Sequence, residues 1–142
     1  MNGPRAVIDT SVLHAGLRSR RGASYRLLQL VGHGSFEPVL SVPLVLEYEH
    51  STAQLTRETS LTTTDIENVL DYLCSVAHLQ EIYYAWRPVL PDPNDDFILE
   101  LAVAASAPYI VTFNLKDFRG VEPFGITALA PKDFLSVLGG FP

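Results

Sequence analysis

Short apolar runs alternate with amphipathic stretches along this chain. AVID at 6–9 reads as a buried strand ending at Asp9. Residues 10–17 begin a helix, with Thr10 or Ser11 available to cap it. RSRRGAS is polar, contains Gly22 and reads as a loop. Within 24–32, Leu27, Leu28, Leu30 and Val31 fall at largely helical spacing, and Gly32 and Gly34 stop that helix. FEPVLS at 36–41 is a second strand, Ser41 caps the next helix, and Pro43 suits its first turn. That helix runs to about residue 56 and carries Glu47. Thr63 or Thr64 begins another, with Asp65 near its positive end and Ile66, Val69, Leu70, Leu73, Val76 and Ala77 along one face. LQEIYYA at 79–85 is a weaker strand pattern. DPND at 92–95 turns into a helix over 96–106, YIVT at 109–112 is a buried strand, and ITAL at 126–129 is the last strand. Pro131 starts a final short helix, ended by Gly139 and Gly140.

Strands alternating with helices imply an α/β fold, with a parallel sheet covered on both faces. In such sheets the reactive site lies beyond the carboxyl ends of the strands, where the winding direction reverses. Asp9 follows the first strand, and Asn114 and Asp117 follow YIVT. If those strands are neighbours, the residues converge.

A chain of 142 residues is read as a single domain over 1–142. Its 47% hydrophobic and 18% charged content argues against disorder. The single cysteine, Cys74, has no partner for an internal disulfide and reads as a small buried apolar residue. No apolar stretch reaches the ~18 residues of a membrane span, and MNGPRAVIDTSVL does not read as a signal peptide. A cytoplasmic protein is expected. The net charge of −6 opposes nucleic acid as a partner. Arg18, Arg20, Arg21 and Arg26, however, cluster within nine positions and offer local phosphate contacts.

The chemistry lies in acidic and amide groups at the edges of apolar segments: Asp9, Glu47, Asp95 with Asp96, and Asn114 with Asp117. Carboxylates in such places are costly unless something positive stands between them. Mg²⁺ suits this set, because it takes oxygen ligands and is often held by few carboxylates plus water and phosphate. The pattern therefore points to a metal-dependent phosphodiester-cleaving enzyme. Each residue also has a plainer reading. Asp9, Asp95 and Asp96 suit helix caps, Glu47 a solvent-facing charge, Asp117 a turn or an ion pair with Lys116 or Arg119, and Asn114 a turn. The four histidines show no metal-ligand spacing, and no glycine-rich phosphate loop is present. Tyr83, Tyr84 and Trp86 read as core or dimer surface rather than base-stacking platforms.

The run IDTSVL, PLVLEYE, DPNDDFILELAVAASA and IVTFNLKDF resembles the PIN domain pattern, and APKDFLSVL is similar to the family's terminal helix. The likeness spans nearly the whole chain and is nearest to the VapC-like toxins of prokaryotic toxin–antitoxin pairs. It implies a three-layer α/β/α fold and an Mg²⁺- or Mn²⁺-dependent ribonuclease. By the resemblance, Asp9, Glu47, Asp95 and Asp117 are catalytic, and Asp9, Asp95 or Asp96, and Asp117 bind metal. Ser11 and Asn114 position substrate or water, and Arg18, Arg20 and Arg21 contact phosphate. An RNA substrate, a small antitoxin covering the acidic site and a homodimer are implied partners. Ser11 stands where relatives usually have Asn, and Phe113 where many have Gly or Arg. Two other readings compete. One is a binding module of the same fold, catalytically weak or inactive, that pairs with an antitoxin. The other is a phosphatase of the haloacid-dehalogenase type, which needs a second Asp at the position of Ser11.

Overall fold

The computed structural model describes residues 3–82 and 89–139. Strand β1 (Arg5–Ile8) is followed by helices α1 (Thr10–Arg18) and α2 (Ala23–Leu30), then β2 (Glu37–Leu40). Helices α3 (Val42–Thr52), α4 (Leu55–Glu58) and α5 (Thr63–Val76) lead to β3 (His78–Leu79). A 3₁₀ turn, Pro93–Asp95, opens α6 (Asp96–Ala104), and β4 (Tyr109–Val111), β5 (Thr127–Leu129) and α7 (Pro131–Val137) complete the order. The strands form a five-stranded parallel sheet in the order β3-β2-β1-β4-β5, flanked by helices in a three-layer α/β/α arrangement. Among the described residues no helix is long and apolar enough to cross a membrane.

The sheet winds outward from β1 through β2 to β3, then resumes on the other side at β4. The reversal falls between β1 and β4, which pair from Ala6↔Tyr109 to Ile8↔Val111. The expected neighbour relation holds, so Asp9 and the residues after β4 leave the sheet side by side.

Several local expectations are corrected. Thr10 and Ser11 do not cap α1, because Asp9 occupies the N-cap position and both hydroxyls are used elsewhere. The cap of α5 is Thr62, whose hydroxyl accepts from Asp65 N–H while the Asp65 carboxylate accepts from Thr62 N–H. That reciprocal pair satisfies two donors the helix would otherwise leave open. The helix expected to reach residue 56 stops at Thr52, whose hydroxyl donates to the Tyr48 carbonyl. Such back-bonding bends and weakens helices. Strand β3 spans two residues, and the rest of LQEIYYA beyond Ile82 lies outside the described residues, as do Tyr83, Tyr84 and Trp86. Cys74 is only half-buried. Gly32 has φ +87°, and a side chain there would meet the Tyr72 hydroxyl at 2.1 Å. Glycine lets the chain leave α2 while that hydroxyl donates to the Val31 carbonyl.

Phe134 of α7 is fully buried, edge-on to Phe36 and tilted against Tyr109, each at 5.4 Å between ring centres. It joins the last helix to the β2 and β4 region of the core. Phe134→Ala is expected to cost about 3–5 kcal/mol, through lost burial and the cavity left behind. Urea unfolding checks this, and a loss below ~1 kcal/mol would show that α7 is not part of the cooperative core.

Candidate active site

Asp9 is 8% exposed at the carboxyl end of β1. Its backbone N–H donates to the Val111 carbonyl at 2.9 Å, which ties it to β4. Its Oδ2 accepts from the Ser11 hydroxyl at 2.7 Å and from the Thr112 hydroxyl at 2.9 Å. Among the described residues the other oxygen, Oδ1, has no hydrogen-bond partner. One face of the carboxylate is thus fixed and the other left as a free acceptor.

Thr112 is fully buried, and its hydroxyl also accepts from Asn114 N–H at 2.9 Å. One side chain therefore links Asp9 to the start of the loop after β4. Asn114 is held through its backbone, and Ser11 Oγ accepts from Phe113 N–H at 3.4 Å. Asp117 follows on a 3₁₀ turn, Leu115–Phe118, whose buried Phe118 anchors it to the core.

From α3, Glu47 accepts a hydrogen bond from the Thr10 hydroxyl, and the next residue, Tyr48, donates its phenol to the Ile8 carbonyl. Burial first, then the Asp9 and Glu47 carboxylates, pushes the Tyr48 phenol up, so it stays protonated and remains a donor. Glu49, two positions along α3 from Glu47, lines a different cleft with Ile66, Leu70 and Asp71.

Asp95 responds to its burial and to the acids of other segments. Its pKa is raised to about 6, by burial first and then by the carboxylates of Asp92, Asp117, Asp9 and Glu47. Only negative charges from four separate parts of the chain act on it. Asp96 has another role. Its carboxylate accepts from Leu90 N–H at 2.9 Å and from Val89 N–H at 3.1 Å. It pins residues 89–90 to the start of α6 instead of joining the acidic group.

The oxygen donors and the surplus negative charge suit a hard divalent cation. As placed, however, no three Asp, Glu, His or Cys side chains among the described residues come together closely enough to hold a metal ion.

The expected phosphate contacts are not gathered at Asp9. Arg18 ends α1, about 13 Å along the helix from Asp9, where it pairs loosely with Glu58 at 3.8 Å. Arg20 lines a surface cleft with Leu61 and Asp65, and Arg21 is exposed beside it. His14 bonds to Ser51 one turn along from the Thr10–Glu47 contact, and His78 bonds to Gln80.

A family model described as PIN domain matches residues 5–116. The chain belongs to the PIN domain family. PIN domains are typically nucleases and generally use divalent metal ions. No curated protein and no solved structure matches the chain. Asp9, Glu47 and Asp95 fall inside the matched span of this PIN domain, and Asp117 lies one residue beyond it.

Two groups central to the geometry escaped sequence reasoning. Thr112 reads as a strand former, and Tyr48 as an aromatic core position. The only signal was adjacency: Thr112 closes the strand expected beside Asp9, and Tyr48 follows Glu47.

The Asp95 shift predicts a pH effect. Its folded pKa, about 6, exceeds its ordinary value of 3.8, so the folded state holds the proton more tightly. Its contribution to stability is complete below pH 3.8 and is lost as pH rises toward 6. In chelator, Asp95→Asn is expected to raise the Tm at pH 7.5 and flatten its decline across that window. Thermal melts at stepped pH check this, and an unchanged slope would remove Asp95 from the acidic group.

Proposed function

We propose that this PIN domain is a metal-dependent endoribonuclease and the toxin of a toxin–antitoxin pair. The observation that carries the reading is the Asp9 carboxylate, buried at the sheet's reversal, with Oδ2 held by Ser11 and Thr112 and Oδ1 left as a free acceptor. The raised pKa of Asp95, caused by burial and then by the carboxylates of Asp92, Asp117, Asp9 and Glu47, supports it. A bound Mg²⁺ or Mn²⁺ would activate a water and stabilise charge on the phosphate.

The protein's part is to hold and orient. Asp9 presents Oδ1, with Oδ2 kept in place by Ser11 and Thr112. Asp95 and Asp117 would have to draw in beside Asp9 to complete the oxygen set for Mg²⁺ or Mn²⁺, and Glu47, steadied by Thr10, would orient water. Asn114 and Ser11, joined to that scaffold through Thr112 and Phe113, position substrate. Arg18 at the end of α1, with Arg20 and Arg21 in the loop beyond it, suits contact with the RNA backbone farther out instead of the scissile phosphate.

The acidic pocket favours an antitoxin that covers it with an Arg or Lys. Exposed Val42, Leu46 and Leu79 supply apolar surface for a homodimer. A second reading, a catalytically weak binding module, is favoured by the spread of the carboxylates. Calorimetry with Mn²⁺ separates the two, since the module is expected to bind none.

Asp9→Asn is expected to lower Mn²⁺-dependent cleavage of single-stranded RNA by about a hundredfold or more. Glu49→Gln, in the other cleft, should leave it intact. Undiminished cleavage by the Asp9 variant would sink the nuclease reading.

A further inference from the structure

The peptide unit joining Ile8 to Asp9 is gripped at both ends. Its N–H donates to the Val111 carbonyl of β4, and its C=O accepts from the Tyr48 phenol of α3. The second contact replaces one the sheet does not make. Pairing of β1 with β2 ends at Ala6↔Pro38, two residues short of Ile8. Ile8 is buried, so its carbonyl needs a donor from within the protein. Tyr48, 2% exposed and adjacent to Glu47, meets that need.

Helix α3 therefore touches both neighbours of Asp9: Tyr48 holds Ile8, and Glu47 holds Thr10. We infer that Tyr48 is a positioning residue that fixes Asp9 relative to Glu47 by clamping the Ile8–Asp9 peptide from the α3 side. This rests on the nuclease reading above, in which Asp9 and Glu47 work on one substrate. Because Tyr48 and Glu47 are consecutive on one helix, any shift of α3 moves the clamp and the second acid together. The distance between the two acids is thereby held against sliding of the helix over the sheet.

Tyr48→Phe keeps the ring and its packing and removes only the hydroxyl. Thr52→Val is the matched control. Thr52 is fully buried on the same helix, and its hydroxyl bonds only to the Tyr48 carbonyl within α3. For Tyr48→Phe, kcat for Mn²⁺-dependent RNA cleavage should fall about tenfold with KM little changed. Exchange of the Asp9 amide, followed by NMR, should accelerate about tenfold relative to the Val7 amide. Thr52→Val should change neither, even where it lowers Tm as much. Wild-type kcat together with wild-type Asp9 exchange in Tyr48→Phe would overturn the inference, as would equal kcat losses in both variants. If the unmodified protein cleaves no RNA with Mn²⁺, the nuclease reading fails. The amide measurement then decides alone whether Tyr48 clamps Asp9.

Discussion

The hydrogen bond from Asp9 N–H to the Val111 carbonyl joins two strands more than a hundred residues apart, where the parallel sheet reverses its winding. The pairing of β1 with β4 sets Asp9 beside Thr112, at the start of the loop that carries Asn114 and Asp117. The pairing is possible because both strands are short apolar runs that tolerate burial on two faces. It also leaves both strands ending at one level, so polar residues just past them share a rim. The apolar core thus sets where the acids stand, although it contains none of them.

Electrostatics works against that arrangement. Asp95 keeps its proton to about pH 6 because burial, and after it neighbouring charges that are all negative, disfavour its ionised form. The protein tolerates the crowding by dividing the carboxylates among different partners. Ser11 and Thr112 donate to one oxygen of Asp9, and Thr10 donates to Glu47. These neutral hydroxyls orient the carboxylates without cancelling their charge. The unspent negative potential is what a divalent ion, or a cationic side chain from a partner, would meet.

The elements were legible where the hydrophobic pattern is unambiguous. AVID, EPVL and YIV read as buried strands because runs of branched apolar residues suit little else, and the amphipathic spacing of α5 is plain. Boundaries were less legible, because they depend on side-chain hydrogen bonds. The break after Thr52 follows from one hydroxyl, and the start of α5 from Thr62 instead of Thr63. That Asp9 and the loop carrying Asn114 and Asp117 leave neighbouring strand ends was readable from the order of the apolar runs. The roles of Thr112 and Tyr48 were not, since each depends on a partner brought near only by folding. The arginines misled for the opposite reason. They lie close to Asp9 in sequence, but a regular helix carries them away from it.

Asp96 illustrates how an acid can matter without taking part in chemistry. Its two oxygens collect the Val89 and Leu90 amides, and the residue before it is Asp95. Neutralising Asp96 would loosen that staple and let the adjoining turn drift, carrying Asp95 with it. An inactive Asp96 variant would then look like a lost ligand while reporting a lost hinge pin. In a doublet of acids, sensitivity to mutation belongs to the pair, and only the hydrogen-bond pattern says which member bears the mechanical load.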